Sequence, residues 1–436
     1  MENVKITVIV TVHNAEKYLK ECLDSVISQT FKNIEILCMD GGSTDLSPQI
    51  LKEYACKDER IRIINDKNTS YGHKVNEGIL QAKGEYISVL ESDDMYQPYM
   101  LEKLYQVAQK YHPDYVNADY YNFYNVGGKR YYALVKMYKE EDYGKLLKCN
   151  ECLQNMRQIL RYWTGIFRKD FLLEKEIKMN ESPGASFQDM SFRFLTSVLA
   201  NTTFHIDLPV YLYRIDNPNS SVYDSKKIIR IVDEFEFLKR KLVEKNIESE
   251  EIWRHFYKWK YCDLYRNLAR FKKEDRKELF EQCYSELKKD RKILESISVQ
   301  DYSVEANELV MKPREMIWRD LEEIYSINQT RDNWLRMLIS NLKEERIVIF
   351  GCGKRGRHLL NYLKMAGLEK EIYCYTDNDE ELWNSKIEGY LVLPPSQVVE
   401  IYPEAIFIVA NRYHGDVIKI QLREMGIEKS HIYEFE

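Results

Sequence analysis

Residues 6–40 read ITVIVTVHNAEKYLKECLDSVISQTFKNIEILCMD, and this stretch decides the class of fold. Its first seven residues, Ile6–Val12, are a β-branched apolar run that predicts a buried strand. Apolar residues then recur every three or four positions across Glu16–Ser28, which predicts a helix. A second apolar run, Ile34–Met39, predicts another strand. Strand, helix and strand in this order are typical of a parallel βαβ unit.

The same alternation continues to about residue 90. It predicts further helices and strands over Pro48–Ala55, Ile61–Ile64, Val75–Ala82 and Glu85–Leu90. We therefore predict an α/β fold with a mostly parallel, doubly wound sheet. Ligands of such sheets bind beyond the carboxyl ends of the strands. The polar clusters Asp40–Asp45 and Glu91–Asp94, which follow two of these strands, are the first candidates for a functional site.

Glycine divides the chain into three parts. Ten of the 17 glycines lie from Gly41 to Gly184, and the other seven lie from Gly351 to Gly426. Because glycine marks tight turns, the long gap between these groups predicts a helical region. We predict an α/β domain over residues 1–222, a helical region over 223–342 and a small C-terminal α/β domain over 343–436.

Composition excludes several classes of protein. The net charge of -6 argues against a protein built to coat nucleic acid, and a hydrophobic content of 44% excludes a wholly disordered chain. No run approaches the ~20 apolar residues of a membrane-spanning helix, and the N-terminus lacks the features of a signal peptide. Nine scattered cysteines predict reduced thiols, and hence a cytoplasmic protein.

One Cys-x-x-Cys pair, Cys149 and Cys152, invites the hypothesis of a zinc site. Zinc needs four ligands, and no second pair or suitably spaced histidine follows. Packing within a helix is therefore the favoured interpretation.

The cluster Glu91, Ser92, Asp93 and Asp94 directly follows a predicted strand. Carboxylates this close repel one another unless a cation joins them. Magnesium and manganese bind carboxylate oxygens and complete their shell with substrate phosphates. The cluster therefore predicts a metal-assisted diphosphate site, and a solvated acidic turn that caps the next helix is the alternative.

A series of short motifs gives this cluster a context. The series runs Ile9–Leu19, Leu23–Val26, Asp40–Asp45, Asn76-x-Gly78, Ala82–Ile87 and Glu91–Asp94. In this order and spacing it resembles the family-2 glycosyltransferases, which have the GT-A fold, and the resemblance implies a mixed, mostly parallel sheet. The resemblance covers about the first 220 residues, and the combination of motifs is specific although each motif alone is weak.

The resemblance implies a nucleotide site at the first two strand ends. Thr11 and His13 match the positions that contact the base, with His13 in place of the more usual tyrosine. Asp40 matches the aspartate that accepts a hydrogen bond from a base imide, which favours uracil or thymine over cytosine. Gly41 replaces the second aspartate of that motif. Glu16 is assigned to the same nucleotide site.

The resemblance also implies a divalent metal, manganese or magnesium, at the acidic cluster. Asp93 matches the direct metal ligand. Glu91 departs from the usual aspartate and is assigned, with Ser92, to the nucleotide side, where it would reach the ribose or a metal-bound water. Lys74 is assigned to the diphosphate, and a solvated helix face is its alternative role.

Acceptor-side residues follow further along the chain. The segment Tyr162–Leu172 resembles the family's acceptor-side segment, and Trp163 is a candidate contact there. Phe187–Phe192 resembles the motif that carries the general base, which implies that role for Asp189, although Gln188 replaces the usual glutamate. Without that resemblance, Asp189 would be interpreted as a helix cap.

Two further candidates lie in Tyr211–Pro218, which resembles the closing segment of the family. Arg214 either binds diphosphate or pairs with an acid, and Asp216 stands where many members have a histidine. Nine tyrosines between residues 111 and 143 suit sugar rings, although most are expected to be packing residues.

The segment Trp253–Lys273 combines seven basic residues with seven aromatic ones. Such a helix can lie on an anionic membrane surface. A packed helix with a solvated basic face is the favoured interpretation.

The C-terminal part opens with Gly351, Gly353 and Gly356 in Gly-x-Gly-x-x-Gly spacing after a predicted strand, and Asp377 ends the next strand. This resembles a dinucleotide-binding Rossmann half, with phosphate over the helix N-terminus and Asp377 on a ribose. The part is short for a dehydrogenase, so NAD is not favoured. A scaffold or an oligomerising module is the preferred hypothesis.

Together these inferences predict a cytoplasmic, metal-dependent, inverting glycosyltransferase that uses a nucleotide-diphosphate sugar, most simply a UDP-sugar. The acceptor is predicted to be a glycan or a lipid-linked glycan of a bacterial surface polysaccharide, with peripheral contact at the inner face of the membrane. Two rival hypotheses remain: a bifunctional protein with NAD-linked sugar chemistry in the C-terminal domain, and a non-catalytic nucleotide-sugar-binding protein. No nucleic-acid partner is expected, and a homo-oligomer is compatible with the sequence.

Overall fold

The computed structural model describes residues 4–126, 129–148, 160–220, 224, 227–271, 273–296, 314–342, 345–411 and 414–435. The Cys149–Cys152 pair lies outside the described residues. The described residues form two compact units. The first unit comprises residues 1–120 and 136–330, and the second comprises 121–135 and 331–436. The division into three domains stays a prediction, and these two units differ from it.

Four parallel strands form one half of the large sheet in the first unit. They are β1 (Ile6–Val12), β2 (Ile34–Asp40), β3 (Ile61–Asn65) and β4 (Tyr86–Glu91), in the spatial order β3-β2-β1-β4. Every residue of β1 and β2 is buried, as expected for strands covered on both faces. The predicted mostly parallel α/β sheet is confirmed in this half.

The other half of the sheet is largely antiparallel. Its strands are β5 (Met95–Tyr96), β6 (Tyr115–Val126), β7 (Lys129–Val135), β8 (Leu146–Lys148), β9 (Gly165–Arg168) and β10 (Thr202–Arg214). β9 pairs antiparallel with both β4 and β6, and it therefore joins the two halves. This is the mixed sheet that the sequence predicts.

Six helices of the described residues accompany this sheet. They are α1 (Leu19–Ile27), α2 (Ser47–Ala55), α3 (Tyr71–Gln81), α4 (Met100–Tyr111), α5 (Lys169–Glu174) and α6 (Asp189–Leu199). Helix α3 begins four residues before the predicted start at Val75. Ser70 explains the difference, because its hydroxyl accepts a hydrogen bond from the backbone N–H of His73 at 3.3 Å and caps the first turn.

The predicted helical region is confirmed by α7 (Arg230–Glu244), α8 (Glu250–Arg270), α9 (Lys273–Ser296) and α10 (Arg314–Asn341). In α8 the aromatic residues pack inward: Phe256, Tyr257, Trp259 and Tyr261 are all buried. The packed-helix interpretation therefore describes these aromatic residues of α8, and contact of this helix with a membrane surface stays a prediction. None of the described helices is both long enough and apolar enough to cross a lipid bilayer.

The second unit contains a smaller sheet of six strands. They are β11 (Ile347–Phe350), β12 (Ile372–Thr376), β13 (Lys386–Ile387), β14 (Tyr390–Leu393), β15 (Ile406–Val409) and β16 (Ile432–Glu434), in the order β13-β14-β12-β11-β15-β16. All of its pairings are parallel except that of β13 with β14. Its helices are α11 (Lys354–Met365), α12 (Pro395–Ile401) and α13 (Gly415–Glu424).

Residues 121–135, the outer part of the β6–β7 hairpin, belong to this second unit. Tyr131 is 3% exposed in the core that α11 and β11 share. The hydroxyl of Tyr124 donates to the backbone oxygen of Ala366 at 2.6 Å. The second unit is therefore built from two segments that lie far apart in the sequence.

Candidate active site

The carboxyl ends of three parallel strands meet at one edge of the large sheet. Val12 of β1 lies opposite Asp40 of β2, and Thr11 lies opposite Glu91 of β4. The register therefore brings the two predicted polar clusters to the same edge, where α/β sheets bind their ligands.

Asp40 is 4% exposed at this edge and orders the turn that follows it. Its Oδ1 accepts hydrogen bonds from the backbone N–H of Ser43 at 3.0 Å and from the Ser43 hydroxyl at 2.7 Å. No described residue donates a hydrogen bond to its Oδ2. Thr11 is buried beside it, whereas His13 is exposed, with its Nδ1 3.1 Å from the backbone oxygen of Gly41. The predicted base-binding residues thus lie together.

Glu16 braces two neighbouring loops. Its Oε2 accepts a hydrogen bond from the backbone N–H of Leu46 at 2.8 Å, and its own N–H donates to Asp45 at 3.0 Å. These contacts join the loop after β1 to the loop after β2. A nucleotide contact of Glu16 stays a prediction.

Lys74 is buried, with 4% exposure, so it does not have the solvated role that was its alternative. Its Nζ lies 3.5 Å from the backbone oxygen of Val12, and a Cβ added at Gly41 would lie 2.8 Å from Nζ. Burial lowers the pKa of Lys74, while the charges of Glu91, Asp40 and Asp66 act in the opposite direction. Lys74 makes no ion pair with any described residue. Lys74 is a buried cation beside Asp40, and its ammonium group can donate a hydrogen bond to an oxygen atom of a ligand.

Glu91 turns toward two tyrosines. Its Oε1 accepts hydrogen bonds from the Tyr71 hydroxyl at 2.7 Å and from the Tyr162 hydroxyl. Burial raises the pKa of Glu91 to about 7, although the two hydroxyl groups oppose this shift. Ser92, the next residue, is partly exposed. In this structure Glu91 is thus held by Tyr71 and Tyr162, and its contact with a nucleotide stays a prediction.

Asp93 and Asp94 have different environments. Asp94 is 1% exposed and accepts hydrogen bonds from the Tyr211 hydroxyl at 2.8 Å and the backbone N–H of Arg214 at 2.7 Å. Asp93 is partly exposed, and its Oδ2 accepts a hydrogen bond from the side chain of Asn217 at 2.7 Å. Of these two carboxylates, only that of Asp93 has access to the surface of the site.

The described residues hold no group of three or more histidine, cysteine or acidic side chains arranged for a metal ion. A single carboxylate nevertheless fits magnesium or manganese in a diphosphate site, because such ions take one or two carboxylates and complete their shell with water and phosphate oxygens. Asp93 satisfies this condition. Asp94 does not, because Arg214 and Tyr211 donate to its two oxygens, and Oε1 of Glu91 is held by Tyr71 and Tyr162.

Arg214 is buried among acidic partners. Its Nη2 donates to Glu21 at 2.5 Å, its Nε donates to the backbone oxygen of Asp93 at 2.8 Å, and its Nη1 lies 3.5 Å from Asp216. In this structure Arg214 pairs with acidic residues, which is one of its two predicted roles. Diphosphate contacts of Arg214 and Asp216 stay predictions.

Asp189 is the first residue of α6, and its side chain is 23% exposed. Its Oδ2 lies 3.0 Å from Nη1 of Arg193, whose Nε donates to the backbone oxygen of Leu160 at 2.7 Å. The charge of Asp189 contributes to raising the pKa of Glu91 and of Tyr162. Asp189 therefore lies close to the carboxyl end of β4, although 98 residues separate it from Glu91 in the sequence.

The segment of residues 177–188, which leads to Asp189, is fastened to α3. The side-chain amide of Asn76 donates to the backbone oxygen of Met179 and accepts from its N–H, both at 3.0 Å. The N–H of Asn180 donates to the backbone oxygen of Gln188 at 3.2 Å and closes the segment into a loop. Asn76 was part of a motif without an assigned role, and its role in this structure is to hold this loop.

We expect Gly72→Ala to lower the free energy of unfolding by about 1–3 kcal/mol, as overpacking does. An added Cβ would lie 1.9 Å from the backbone oxygen of Asn180, so α3 and the loop would have to separate. Leu80→Ala, at a 52% exposed position of the same helix, is the matched control. It should change the free energy of unfolding by less than about 0.5 kcal/mol. Denaturant titration measures both variants, and equal values would show that the loop does not resist displacement.

Trp163 is 7% exposed in an aromatic stack. Its ring is parallel to that of Tyr213 at 5.2 Å, lies 4.5 Å from Tyr211 and meets Tyr120 edge-on at 4.7 Å. These contacts give Trp163 a packing role, and a contact with an acceptor stays a prediction. Tyr120 is the member of the predicted tyrosine-rich stretch that contacts this stack.

The glycine loop of the second unit is closed by its own aspartate. Asp377 accepts hydrogen bonds from the backbone N–H of Cys352 at 2.8 Å and of Asp379 at 3.1 Å. A Cβ added at Gly356 would lie 1.9 Å from the backbone oxygen of Gly351, so close packing of helix on strand requires glycine there. Gly353 precedes α11 with open space around it. A ribose contact of Asp377 stays a prediction.

Comparison with known families and proteins adds independent findings. The family described as Glycosyl transferase family 2 matches residues 7–171, and the family described as C2185-like, N-terminal matches residues 343–433. The second description does not confirm the predicted dinucleotide-binding half. The chain is 33% identical to Glycosyltransferase GlyG of Streptococcus pneumoniae serotype 4 over 214 residues, which are 48% of this chain and 70% of GlyG. It is 29% identical to Glycosyltransferase GlyA of the same organism over 235 residues, which are 52% of this chain and 33% of GlyA.

Among solved structures, the crystal structure of S. aureus TarS 1-349 matches with a TM-score of 0.51 and 19% identity, over 76% of this chain and 91% of that chain. The same protein in complex with UDP-GlcNAc matches with a TM-score of 0.50 and 20% identity, over 76% and 92%. At 19–20% identity, the similarity between this chain and TarS is a similarity of fold. The chain thus spans most of GlyG and of TarS 1-349 but only a third of GlyA.

Proposed function

The chain belongs to glycosyltransferase family 2, and from this premise we propose that it transfers a sugar from a UDP-sugar to an acceptor hydroxyl with inversion at the anomeric carbon. The observation that carries the proposal is the convergence of Asp40, Asp93 and Asp189 on one edge of the large sheet. The three residues come from distant parts of the chain and have the chemistry needed for the base, the diphosphate and the acceptor, respectively.

Asp40 and Lys74 support a uracil-containing donor. Uracil and thymine present an N–H flanked by carbonyl oxygens, so an acceptor beside a donor suits this edge of the base. Asp40 would accept from the N–H, and Lys74 would donate to a neighbouring carbonyl oxygen. This differs from the diphosphate contact that the sequence suggests for Lys74, because its Nζ lies by Gly41 and Val12. The complex of TarS with UDP-GlcNAc is compatible with a donor of this class.

Asp93 is the residue that would hold a divalent cation, manganese or magnesium, against the diphosphate. Such an ion neutralises the charge that develops on the leaving diphosphate. The Asp93 carboxylate has the required surface access, and Asn217 orients it.

Asp189 would accept the proton of the acceptor hydroxyl. The hydroxyl oxygen then forms its bond to the anomeric carbon while the bond from that carbon to the diphosphate oxygen breaks, and UDP departs with the bonding electrons. A carboxylate on the side opposite the diphosphate is what a single displacement requires. Arg193, whose Nη1 lies 3.0 Å from Oδ2 of Asp189, orients the carboxylate.

The product is proposed to be a bacterial surface glycan or its lipid-linked precursor, made at the cytoplasmic side of the membrane. This step rests on the family and on its bacterial relatives.

The donor class is tested by measuring nucleotide release from UDP-, dTDP-, GDP- and CDP-sugars, with and without manganese. We expect the UDP-sugars to be preferred, and we expect Lys74→Met to weaken UDP binding by about tenfold because a charged hydrogen bond is lost. Lys83→Met, at an exposed position, is the matched control and should bind UDP normally. Unchanged UDP affinity in Lys74→Met would contradict the assignment of Lys74 to the base.

The same measurements separate the rival hypotheses. A non-catalytic binding protein would bind UDP without releasing it from any sugar in the panel. A bifunctional protein would reduce added NAD, and the closure of the glycine loop by Asp377 does not favour that outcome.

A further inference from the structure

His73 stands between two carboxylates that come from different parts of the chain. Its Nε2 lies 2.7 Å from Oδ2 of Asp66, and its Nδ1 lies 3.0 Å from Oε2 of Glu181. The His73 side chain is 20% exposed, so the ring is largely enclosed. A histidine bonded to acids at both nitrogens is an arrangement that none of the sequence motifs indicates.

This geometry specifies the charge of the ring. An ionised carboxylate only accepts hydrogen bonds, and a neutral imidazole can donate only one. Both contacts are therefore satisfied together only by the imidazolium, which donates from both nitrogens. The imidazolium thus makes two charge-assisted hydrogen bonds, whereas the neutral ring could donate only one.

The two carboxylates belong to two different segments of the active site. Asp66 follows β3, and its backbone N–H donates to the backbone oxygen of Asp40 at 2.9 Å. Glu181 lies in the loop of residues 177–188, and its Oε1 accepts a hydrogen bond from Asn76 at 2.9 Å. The imidazolium consequently joins the nucleotide side of the site to the loop that leads to Asp189.

The other charges around the ring are Lys74, which follows His73 on α3 and acts on Asp66, and Lys178, which acts on Glu181. Burial lowers the pKa of His73, but the hydrogen bonds to Glu181 and Asp66 outweigh burial and raise the pKa above its ordinary value of 6.5. The same contact helps to lower the pKa of Glu181, against the effect of burial.

We propose that His73, as the imidazolium, is a positioning residue that fastens the loop of residues 177–188 to the nucleotide side of the site, and that the loop is held in this way only while the ring is doubly protonated. The inference deepens the proposed function, since it concerns how Asp189 is placed. His73 itself touches no reacting atom.

The direction of the pH dependence follows from the raised pKa. A group whose pKa is higher in the folded than in the unfolded state stabilises the fold fully below the unfolded pKa, and this contribution is lost as pH rises through the folded pKa. The loop should therefore loosen on the alkaline side of about pH 6.5, the unperturbed value for histidine.

Hydrogen exchange of the whole chain tests the inference without a measurement of enzyme activity. The probes are the backbone N–H groups of Met179 and Asn180, whose partners are Asn76 and Gln188. After correction for intrinsic exchange, we expect their protection to fall about tenfold between about pH 6 and about pH 9 in the wild-type protein, as the charge of the ring and one of its two hydrogen bonds are lost. In His73→Gln the protection should be low throughout and independent of pH.

Two further variants make the test specific. Glu181→Gln removes one negative charge and should move the midpoint of the change to lower pH by about one unit. His414→Gln, at an exposed position in the second unit, is the matched control and should behave like the wild type. Wild-type protection that does not depend on pH, or an unmoved midpoint in Glu181→Gln, would overturn the inference.

Kinetics provide the second test. With the preferred donor, His73→Gln should lower kcat by about tenfold or more, since small misplacement of a catalytic group is costly, while UDP affinity stays near the wild-type value. In the wild-type protein, kcat should decrease at alkaline pH because His73 loses its proton. His73→Gln should remove this decrease. If no donor in the panel is used, the proposed function fails, whereas the exchange experiment still decides the role of His73.

Discussion

Asp189→Asn is expected to lower kcat by about 10²–10⁴-fold, the usual effect of removing a general base. The change keeps the size of the side chain and one oxygen that can accept from Arg193, the partner of Asp189 at 3.0 Å. Helix α6 should therefore keep its first turn, and UDP affinity should stay near the wild-type value. The measurement is turnover beside UDP affinity in the same preparation.

Asp170→Asn is a matched control, because Asp170 is also an acidic residue in the first turn of a helix and is exposed. It should leave turnover unchanged. If Asp189→Asn retained near-wild-type turnover, Asp189 would not be the base, and the proton would have to go to another group such as Glu91, whose pKa is raised to about 7 by burial.

Removal of the metal or of its ligand is expected to have an effect of similar size. Excess chelator, or Asp93→Ala, should lower transfer by about 10³-fold, because several kcal/mol of charge stabilisation at the diphosphate are lost. The Asp93 side chain is partly exposed and accepts a hydrogen bond from Asn217, so the free energy of unfolding should change by less than about 1 kcal/mol in Asp93→Ala.

Asp94→Ala is the informative contrast to Asp93→Ala. It leaves the buried hydroxyl of Tyr211 and the N–H of Arg214 without an acceptor, and it should lower the free energy of unfolding by about 1–3 kcal/mol. We would measure thermal or denaturant unfolding and the rate of transfer for both variants. The comparison distinguishes a carboxylate that binds the metal from one that stabilises the fold. Full activity in excess chelator would remove the metal from the mechanism and leave Asp93 without its assigned role.

The strands of the parallel half could be predicted from sequence because their signal is local. Ile6–Val12 is predicted and observed with the same bounds, since a fully buried strand reads as an unbroken apolar run. The start of α3 could not be predicted from periodicity. It depends on a cap at Ser70 and on a close approach of Gly72 to Asn180, which lies far along the chain.

The location of the acidic cluster was also predictable, but the direction of each carboxylate was not. Tyr71, Tyr162 and Tyr211 decide the directions, and they lie 20, 71 and 117 residues from the acids that they contact. Only the fold brings them together. The bridge at His73 escaped prediction for the same reason, since Glu181 is 108 residues away.

The two-segment construction of the second unit has a consequence for how the chain is made. Its β6–β7 hairpin leaves the ribosome roughly 200 residues before residue 331, a delay of about 10–40 s at ordinary rates of translation. During that interval Tyr131, which is 3% exposed in the finished protein, has no core to enter. Newly made chains should therefore expose the outer part of this hairpin, residues 121–135, until synthesis reaches β11.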